Sequence, residues 1–414
     1  MTNTFRCALG WLVLALSACS HAPASKISAY TPLILISIDG YRADYIERDL
    51  SPNLVALASD GVRAQALKPA FPTLTFPNHY TLVTGLYPDH HGIVANRMFD
   101  PNSGKRFVSS DTQLAGDPQW WGGEPLWVGV ERQGKHAATM FWPGSDYPIG
   151  GVRPEHWQTF DRHISAYARV DQVLQWLDLP AGQRPDFITL YFDQVDHEAH
   201  DFGPASPQTD AAIALVDAAL GRLLEGLRQR NLQNSTNLVI VSDHGMAATS
   251  AEHTIVLDDV VDLNDVDLVS DGVFTGLAAK PGREARVESS LLLPHAHMTC
   301  WRKTQTPARL HYGTNARIPP LLCLAADGWT ISTRHSLDRP DREEHKGEHG
   351  YDNDDPNMRA LFVAHGPAFR HGQVVPEFDN VDVYPLLVKI LKMQPAPNDG
   401  DFNVVAPMLA PAAR

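Results

Sequence analysis

Three apolar runs of strand length stand out along the chain: Leu33-Ile34-Leu35-Ile36-Ser37-Ile38, Phe187-Ile188-Thr189-Leu190-Tyr191-Phe192 and Asn237-Leu238-Val239-Ile240-Val241-Ser242. None alternates apolar with polar, so each reads as a parallel strand buried on both faces. Between the runs the period changes. Val170, Val173, Leu174 and Leu177 fall on one face of a helix over residues 165–177. Ser206-Pro207 opens a longer one to about Arg230, with Ile213, Val216, Leu220, Leu223, Leu224 and Leu227 inward. Ser51-Pro52 opens another, with a cap residue, a proline in the first position, and Leu54, Leu57 and Ala58 on one side. Residues 137–141 and 360–364 are further strands, residues 381–393 a closing helix, and residues 100–125 irregular. The rhythm weakens over about 271–333, which reads as a small inserted subdomain. Such alternation predicts an α/β fold, a mostly parallel sheet covered by helices on both faces. Ligands of such sheets lie beyond the carboxyl ends of the strands. The three strong strands end there in Asp39, in the segment from Asp193 to His200, and in Asp243-His244.

Composition narrows the class. With 414 residues, 43% hydrophobic and 20% charged, the chain is globular and large enough for one domain with an insertion. Its net charge of −14 argues against a nucleic-acid partner or an anionic membrane surface, but not against a small anion held through metal ions. Arg6 followed by the short apolar run Ala8 to Ala18 reads as an export signal over residues 1–18. Leu16-Ser17-Ala18-Cys19 looks like a bacterial lipoprotein box with Cys19 lipidated; the other reading is plain secretory cleavage near Ala22 to Ala24. Residues 19–31 then form a tether and residues 32–400 a catalytic domain. Either way the expected location is the bacterial periplasm or cell envelope, the only membrane contact being an N-terminal lipid. The protein is expected to be a monomer. Cys300 and Cys323 are left over, and two spare cysteines in an oxidising compartment predict a disulfide.

Chemistry concentrates around Thr75. In Phe71-Pro72-Thr73-Leu74-Thr75-Phe76-Pro77-Asn78-His79-Tyr80 a single hydroxyl opens a helical pattern, where unpaired amides and the helix dipole can hold an anion. Taken alone, such a threonine is more often a helix cap. The strand ends add metal-ligand types. Asp196 and His200 are one helical turn apart and can aim at one point, and Asp and His suit zinc. Asp243 and His244 are adjacent and converge only through a tight turn, which Gly245 permits.

These segments, with Ser37-Ile38-Asp39-Gly40, Thr84-Gly85-Leu86-Tyr87-Pro88, His91-Gly92-Ile93, Asn96-Arg97-Met98-Phe99-Asp100, Ser242-Asp243-His244-Gly245-Met246 and Gly347-Glu348-His349-Gly350-Tyr351-Asp352-Asn353, carry a resemblance. The chain resembles the nucleotide pyrophosphatase/phosphodiesterase family of the alkaline phosphatase superfamily, in the family's order from residue 33 to about 390. The resemblance implies an alkaline-phosphatase-like core and two Zn2+ ions, one on Asp196, His200 and His349, the other on Asp39, Asp243 and His244 beside Thr75. Thr75 would be the nucleophile of a covalent phospho-threonine step. Asn96 would donate to a phosphate oxygen, and Phe76 and Tyr191 would sandwich a base. The implied activity is cleavage of nucleotide phosphodiester and pyrophosphate bonds, in ATP-like or dinucleotide-like substrates, to nucleoside 5′-monophosphates.

Gln194-Val195 and Ala199 depart from the family's usual residues, while the ligand types survive. His345 is the best rival ligand, but only His349 stands in the Gly-x-His-Gly context. The alternative activity is choline-lysophospholipid cleavage, for which Trp120, Trp121 and Trp157 would build a cage. No Cys-x-Pro-x-Arg context surrounds the nucleophile, which disfavours a sulfatase. A binding protein on an inactive scaffold would not need all six ligand positions and Thr75 intact.

Overall fold

The computed structural model describes residues 1–2, 30–340, 344–411 and 413, so the signal segment and Cys19 lie outside the described residues. The elements below belong to the compact unit that runs from Thr31 to Arg414. Its main sheet has eight strands: β1 (Leu33–Ile38), β2 (Val62–Ala64), β3 (Ala137–Met140), β4 (His156–Trp157), β5 (Phe187–Phe192), β6 (Asn237–Val241), β7 (Phe362–His365) and β8 (Gln373–Val375), in the order β8-β2-β7-β6-β1-β5-β3-β4. Only β7 runs against the others. β1 is central, parallel to β5 on one side and to β6 on the other. All six of its residues are buried, which is why its sequence shows no alternation.

The helices that matter here are α1 (Pro52–Asp60), α2 (Thr75–Thr84), α3 (Ala166–Leu177), α4 (Gln194–Phe202), α5 (Pro207–Gln229) and α6 (Val383–Ile390). Leu33 and Leu35 pack into the large core with Tyr80, Leu82 and Val83 of α2 and Leu386 and Leu387 of α6. Leu54, Val170, Val173, Ile213 and Val216, from α1, α3 and α5, are buried outside that core. α3 packs on β5 and β3, and α5 lies against α1 and α3. The sheet is therefore covered on both faces.

The cap expected at Ser206 forms, and Ser165 caps its helix in the same way. The Ser206 hydroxyl accepts from the Thr209 amide and the Ser165 hydroxyl from the Ala168 amide. The cap expected at Ser51 does not form. Ser51 turns its hydroxyl to Tyr41, and the first amides of α1 donate instead to Asp217 of α5, from Asn53 at 3.1 Å and Leu54 at 2.9 Å. A carboxylate from another helix does the work expected of the neighbouring serine.

The stretch 100–125, expected to be irregular, holds Lys105–Val108, paired antiparallel with Arg97–Asp100 in a hairpin, and short helical turns at Thr112–Ala115 and Pro118–Trp120. The weak-period stretch is a four-stranded antiparallel sheet that begins at Val266, with strands Val266–Ser270, Phe274–Ala279, Met298–Arg302 and Leu321–Ala325. Cys300 and Cys323 lie opposite each other in register on two of these strands and form a disulfide.

Asp382, just ahead of α6, is buried and accepts the Asp401 amide at 2.7 Å. Burial pushes its carboxyl up to about 6, with the charges of Asp379 and Asp401 adding to the rise. A carboxyl raised in the folded state favours folding below its unfolded pKa and loses that contribution as pH rises through about 6. Asp382→Asn is thus expected to raise the melting temperature at pH 8, by at most about 3 kcal/mol of stability, with the gain fading below about pH 4. Thermal melts of both proteins across that range check it; a variant less stable at pH 8 would contradict the assignment.

Candidate active site

The carboxyl ends of the adjacent strands β6, β1 and β5 deliver the expected residues to one place. Asp39 follows β1, Asp243 and His244 follow β6, and Asp196 and His200 sit one turn apart on α4, which begins just beyond β5. Gly40 takes φ 67°, and a Cβ there would lie 2.9 Å from the Asp196 Cα, so only glycine lets the β1 end and α4 approach this closely. A Cβ on Gly245 would lie 2.0 Å from the Asn357 carbonyl, so that glycine serves close packing.

Each histidine is oriented by a backbone carbonyl. The Nδ1–H of His200 donates to Gly347, that of His244 to Gly245 and that of His349 to Thr73, at 2.8, 2.9 and 2.8 Å. A carbonyl can only accept, so each ring carries its proton on Nδ1 and presents an Nε2 lone pair, the arrangement found behind metal-binding histidines. The Nε2 atoms of His200 and His349 lie 3.5 and 3.7 Å from Asp196 Oδ1. That of His244 lies 3.0 Å from Asp243 Oδ2, 3.4 Å from Asp39 Oδ1 and 3.3 Å from the Thr75 hydroxyl. The same three carboxylate oxygens, Asp39 Oδ1, Asp196 Oδ1 and Asp243 Oδ2, are buried without a hydrogen-bond partner. Buried polar atoms are seldom left so, and three of them facing imidazole lone pairs fit a cation. Asp196, His200 and His349 form one compact donor group, while Asp39 groups both with Asp196 and His244 and with His79 and Asp243. The His244 and His349 rings stack at 3.6 Å, so the two expected sets share one cavity.

Electrostatics agree. Burial, then the charges of Asp243 and Asp196, push the Asp39 carboxyl well above the usual range. Burial, then His244 and His200, hold His349 well below the usual imidazole value, so it is a neutral ligand type. At Asp243 the balance runs the other way: against burial, His244 and His79 hold its carboxyl well below the usual range, and against burial Asp243 raises His244.

Thr75 is the first residue of α2. Leu74 stands in the cap position with no side-chain acceptor, and the Thr75 amide has no partner among the described residues. Asn96 accepts the Phe76 amide through Oδ1 at 3.1 Å, which leaves its NH2 group without a partner among the described residues. Phe76 is half-buried, its ring edge-on to Phe107. Tyr191 is only 8% exposed, and its hydroxyl donates to Asp39 Oδ2 at 2.7 Å. Burial, then the Asp39 charge, keep that phenol protonated. Its visible task is to turn Asp39 Oδ1 toward the cluster.

Two residues escaped the sequence reading. The Thr73 hydroxyl donates to the Tyr351 carbonyl and accepts the Gly350 amide, fastening the Thr75 segment to the His349 loop. His79 is buried, bonded to Ser37 Oγ and to the Thr75 carbonyl, with Nδ1 3.2 Å from Asp243. Its position one turn after Thr75 was the available signal. His345 pairs with Glu348 at 2.7 Å and stays outside the Asp196 group. The tryptophan cage does not form. Trp120 and Trp121 are core residues, and the Arg153 guanidinium covers the Trp157 ring at 4.5 Å.

A family model described as type I phosphodiesterase/nucleotide pyrophosphatase matches residues 33–352. A Schizosaccharomyces pombe pyrophosphatase/phosphodiesterase, itself uncharacterized, is 40% identical over 91% of this chain and 80% of its own. The Macrovipera lebetinus venom phosphodiesterase is 38% identical, covering 94% of this chain and 46% of its own length. Ectonucleotide pyrophosphatase/phosphodiesterase family member 3 of Bos taurus is 38% identical, covering 89% and 43%. The chain thus spans less than half of those last two. Among solved structures, murine ectonucleotide pyrophosphatase/phosphodiesterase 5, an inactive threonine-to-alanine variant in complex with AMP, aligns with a TM-score of 0.87 and 32% identity over 92% of this chain and 100% of that one.

Proposed function

We propose, from the premise that this chain belongs to the type I phosphodiesterase/nucleotide pyrophosphatase family, that it is an exported, zinc-dependent hydrolase releasing nucleoside 5′-monophosphates from nucleotide diesters and pyrophosphates. The observation that carries the reading is the meeting of three unpaired carboxylate oxygens and three histidine Nε2 atoms in one cavity, with the Thr75 hydroxyl 3.3 Å from one of them, His244 Nε2. Asp196, His200 and His349 would hold one ion, and Asp39, Asp243 and His244 the other. Bound zinc would supply Lewis-acid charge and lower the pKa of the Thr75 hydroxyl.

Thr75 Oγ1 gives up its proton to solvent and attacks phosphorus, and the leaving oxygen departs with its bonding pair as the phospho-threonine ester forms. Water attacks the same phosphorus in the second half and returns the hydroxyl to Thr75. The Asn96 NH2 group and the Thr75 N–H, both without partners among the described residues, donate to the non-bridging oxygens. Neutral donors suit a diester, which carries less charge than a monoester. Phe76 offers an aromatic face to a base, while Tyr191 acts on Asp39. Stacking is tolerant of base identity, so weak discrimination among nucleobases follows.

Two relatives named as venom or ecto enzymes support export. No helix among the described residues is long and apolar enough to cross a membrane, and attachment would be through lipid on Cys19.

The test compares p-nitrophenol release from p-nitrophenyl thymidine 5′-monophosphate and from p-nitrophenyl phosphate, with chelator and zinc add-back. The diester is expected to react faster by at least about a hundredfold in kcat/KM, roughly 3 kcal/mol, and zinc to restore the rate. Preference for the monoester would move the protein toward phosphatases and remove Asn96 and Phe76 from recognition.

A further inference from the structure

One histidine stands where three segments of the site cross. His79 of α2 has no exposed surface. Its Nδ1–H donates to the Thr75 carbonyl at 3.0 Å, and the same nitrogen lies 3.2 Å from Asp243 Oδ2. Its Nε2 meets the hydroxyl of Ser37 at 2.8 Å, on β1 and two residues ahead of Asp39. A single imidazole therefore touches the strand that leads to Asp39, the backbone of Thr75 and the Asp243 carboxylate.

The ring is held in place from outside the site. Trp142 packs edge-on against it at 5.0 Å and donates its Nε1–H to the His79 carbonyl at 2.9 Å, and Tyr191 meets it edge-on at 5.2 Å. A buried histidine needs a partner for each nitrogen, and the Thr75 carbonyl and Ser37 provide both. A core role leaves the third contact unexplained. Asp243 Oδ2 has no hydrogen-bond partner, yet it sits beside an N–H already given to Thr75. An N–H dipole so placed steadies the carboxylate and leaves the oxygen's lone pairs for a cation, and metal-ligating carboxylates are oriented by neighbours of this kind.

We propose that His79 is a positioning residue: through Nδ1–H it ties the Thr75 backbone to the Asp243 carboxylate, and so sets the nucleophile's distance from the ion that Asp39, Asp243 and His244 would hold. The proposal rests on the zinc-hydrolase reading above. It competes with a histidine that only fills the core.

Two substitutions separate the roles. An asparagine amide nitrogen can take the place of Nδ1, and a glutamine amide the place of Nε2. His79→Asn thus keeps the donor toward Thr75 and Asp243 and loses Ser37, while His79→Gln does the opposite. Both lose the ring and its packing on Trp142 and Tyr191, so a core role predicts similar damage from each. On the proposal, zinc affinity of the His79→Gln apoprotein, measured by competition with a chromogenic chelator, weakens about tenfold at one of two sites. Its kcat for p-nitrophenyl thymidine 5′-monophosphate at saturating zinc also falls about tenfold, with KM little changed. His79→Asn stays within about threefold of wild type in both readouts. His79→Met, of similar volume and with no donor, is read in place of the glutamine variant should that one not fold. Glutamine more damaging than asparagine in both readouts supports the proposal; any other ranking, equality included, overturns it and leaves the core role. Wild-type protein that binds no zinc, or does not cleave the diester, would instead overturn the underlying reading, so the two failures are distinguishable.

Discussion

Thr75→Ala is expected to abolish turnover while leaving the metal content and the fold intact. Thr75 brings a hydroxyl to the cluster and is none of the six Asp and His donors. Its polar contact there is His244 Nε2 at 3.3 Å, so removing it disturbs no carboxylate and no carbonyl-bound Nδ1. A kcat loss of at least about a thousandfold on the thymidine diester follows from losing a covalent route. Thr75→Ser, which keeps a hydroxyl, should lose far less. Steady-state kinetics beside metal analysis by mass spectrometry checks this. An alanine variant near full rate would remove Thr75 from the mechanism, and one depleted of metal would make Thr75 a ligand first.

Asp243→Asn should do the reverse and strike metal binding before chemistry. Asp243 Oδ1 accepts the Gly40 amide, while the unpaired Oδ2 lies 3.0 Å from His244 Nε2. Asparagine removes the charge and can place an NH2 group where a cation would sit. Affinity for zinc at that set is expected to weaken by at least about a hundredfold, because even indirect ligand partners are worth ten- to hundredfold. After dialysis the variant should hold about one equivalent less zinc than the wild type, and activity should return, if at all, only at high zinc. Unchanged zinc content would contradict the assignment of Asp243 as a ligand.

The two variants separate parts that the fold brings together from distant places. Asp39, Asp196 and Asp243 come from three neighbouring strand ends, and Thr75 from a helix that none of those strands precedes directly. Losing one carboxylate also relieves its like-charged neighbours, whose repulsion pushes Asp39 up.

Much of this was legible in the linear chain, because the signals were local. Strands buried on both faces lose alternation, so β1, β5 and β6 appear as unbroken apolar runs. Ser165 and Ser206 cap their helices within four residues of themselves, and Asp196 and His200 share a helix face through the helical repeat alone. The spare cysteines needed only the knowledge that they were two. What stayed hidden was everything set by residues far apart. Asp217 caps α1 from 163 positions away through Leu54, Tyr191 turns Asp39 from 152, and Thr73 fixes the His349 ring from 276. Trp120, Trp121 and Trp157 read as one cage by composition and proved to be two core residues and a ring covered by Arg153. The chain by itself thus determined its elements, its strand ends and the chemical types placed there, since periodicity and capping act within a few residues. Only the tertiary structure decided which nitrogen each histidine presents and which carboxylate oxygens go unpaired, because those depend on partners that backbone packing, not sequence spacing, brings within hydrogen-bond reach.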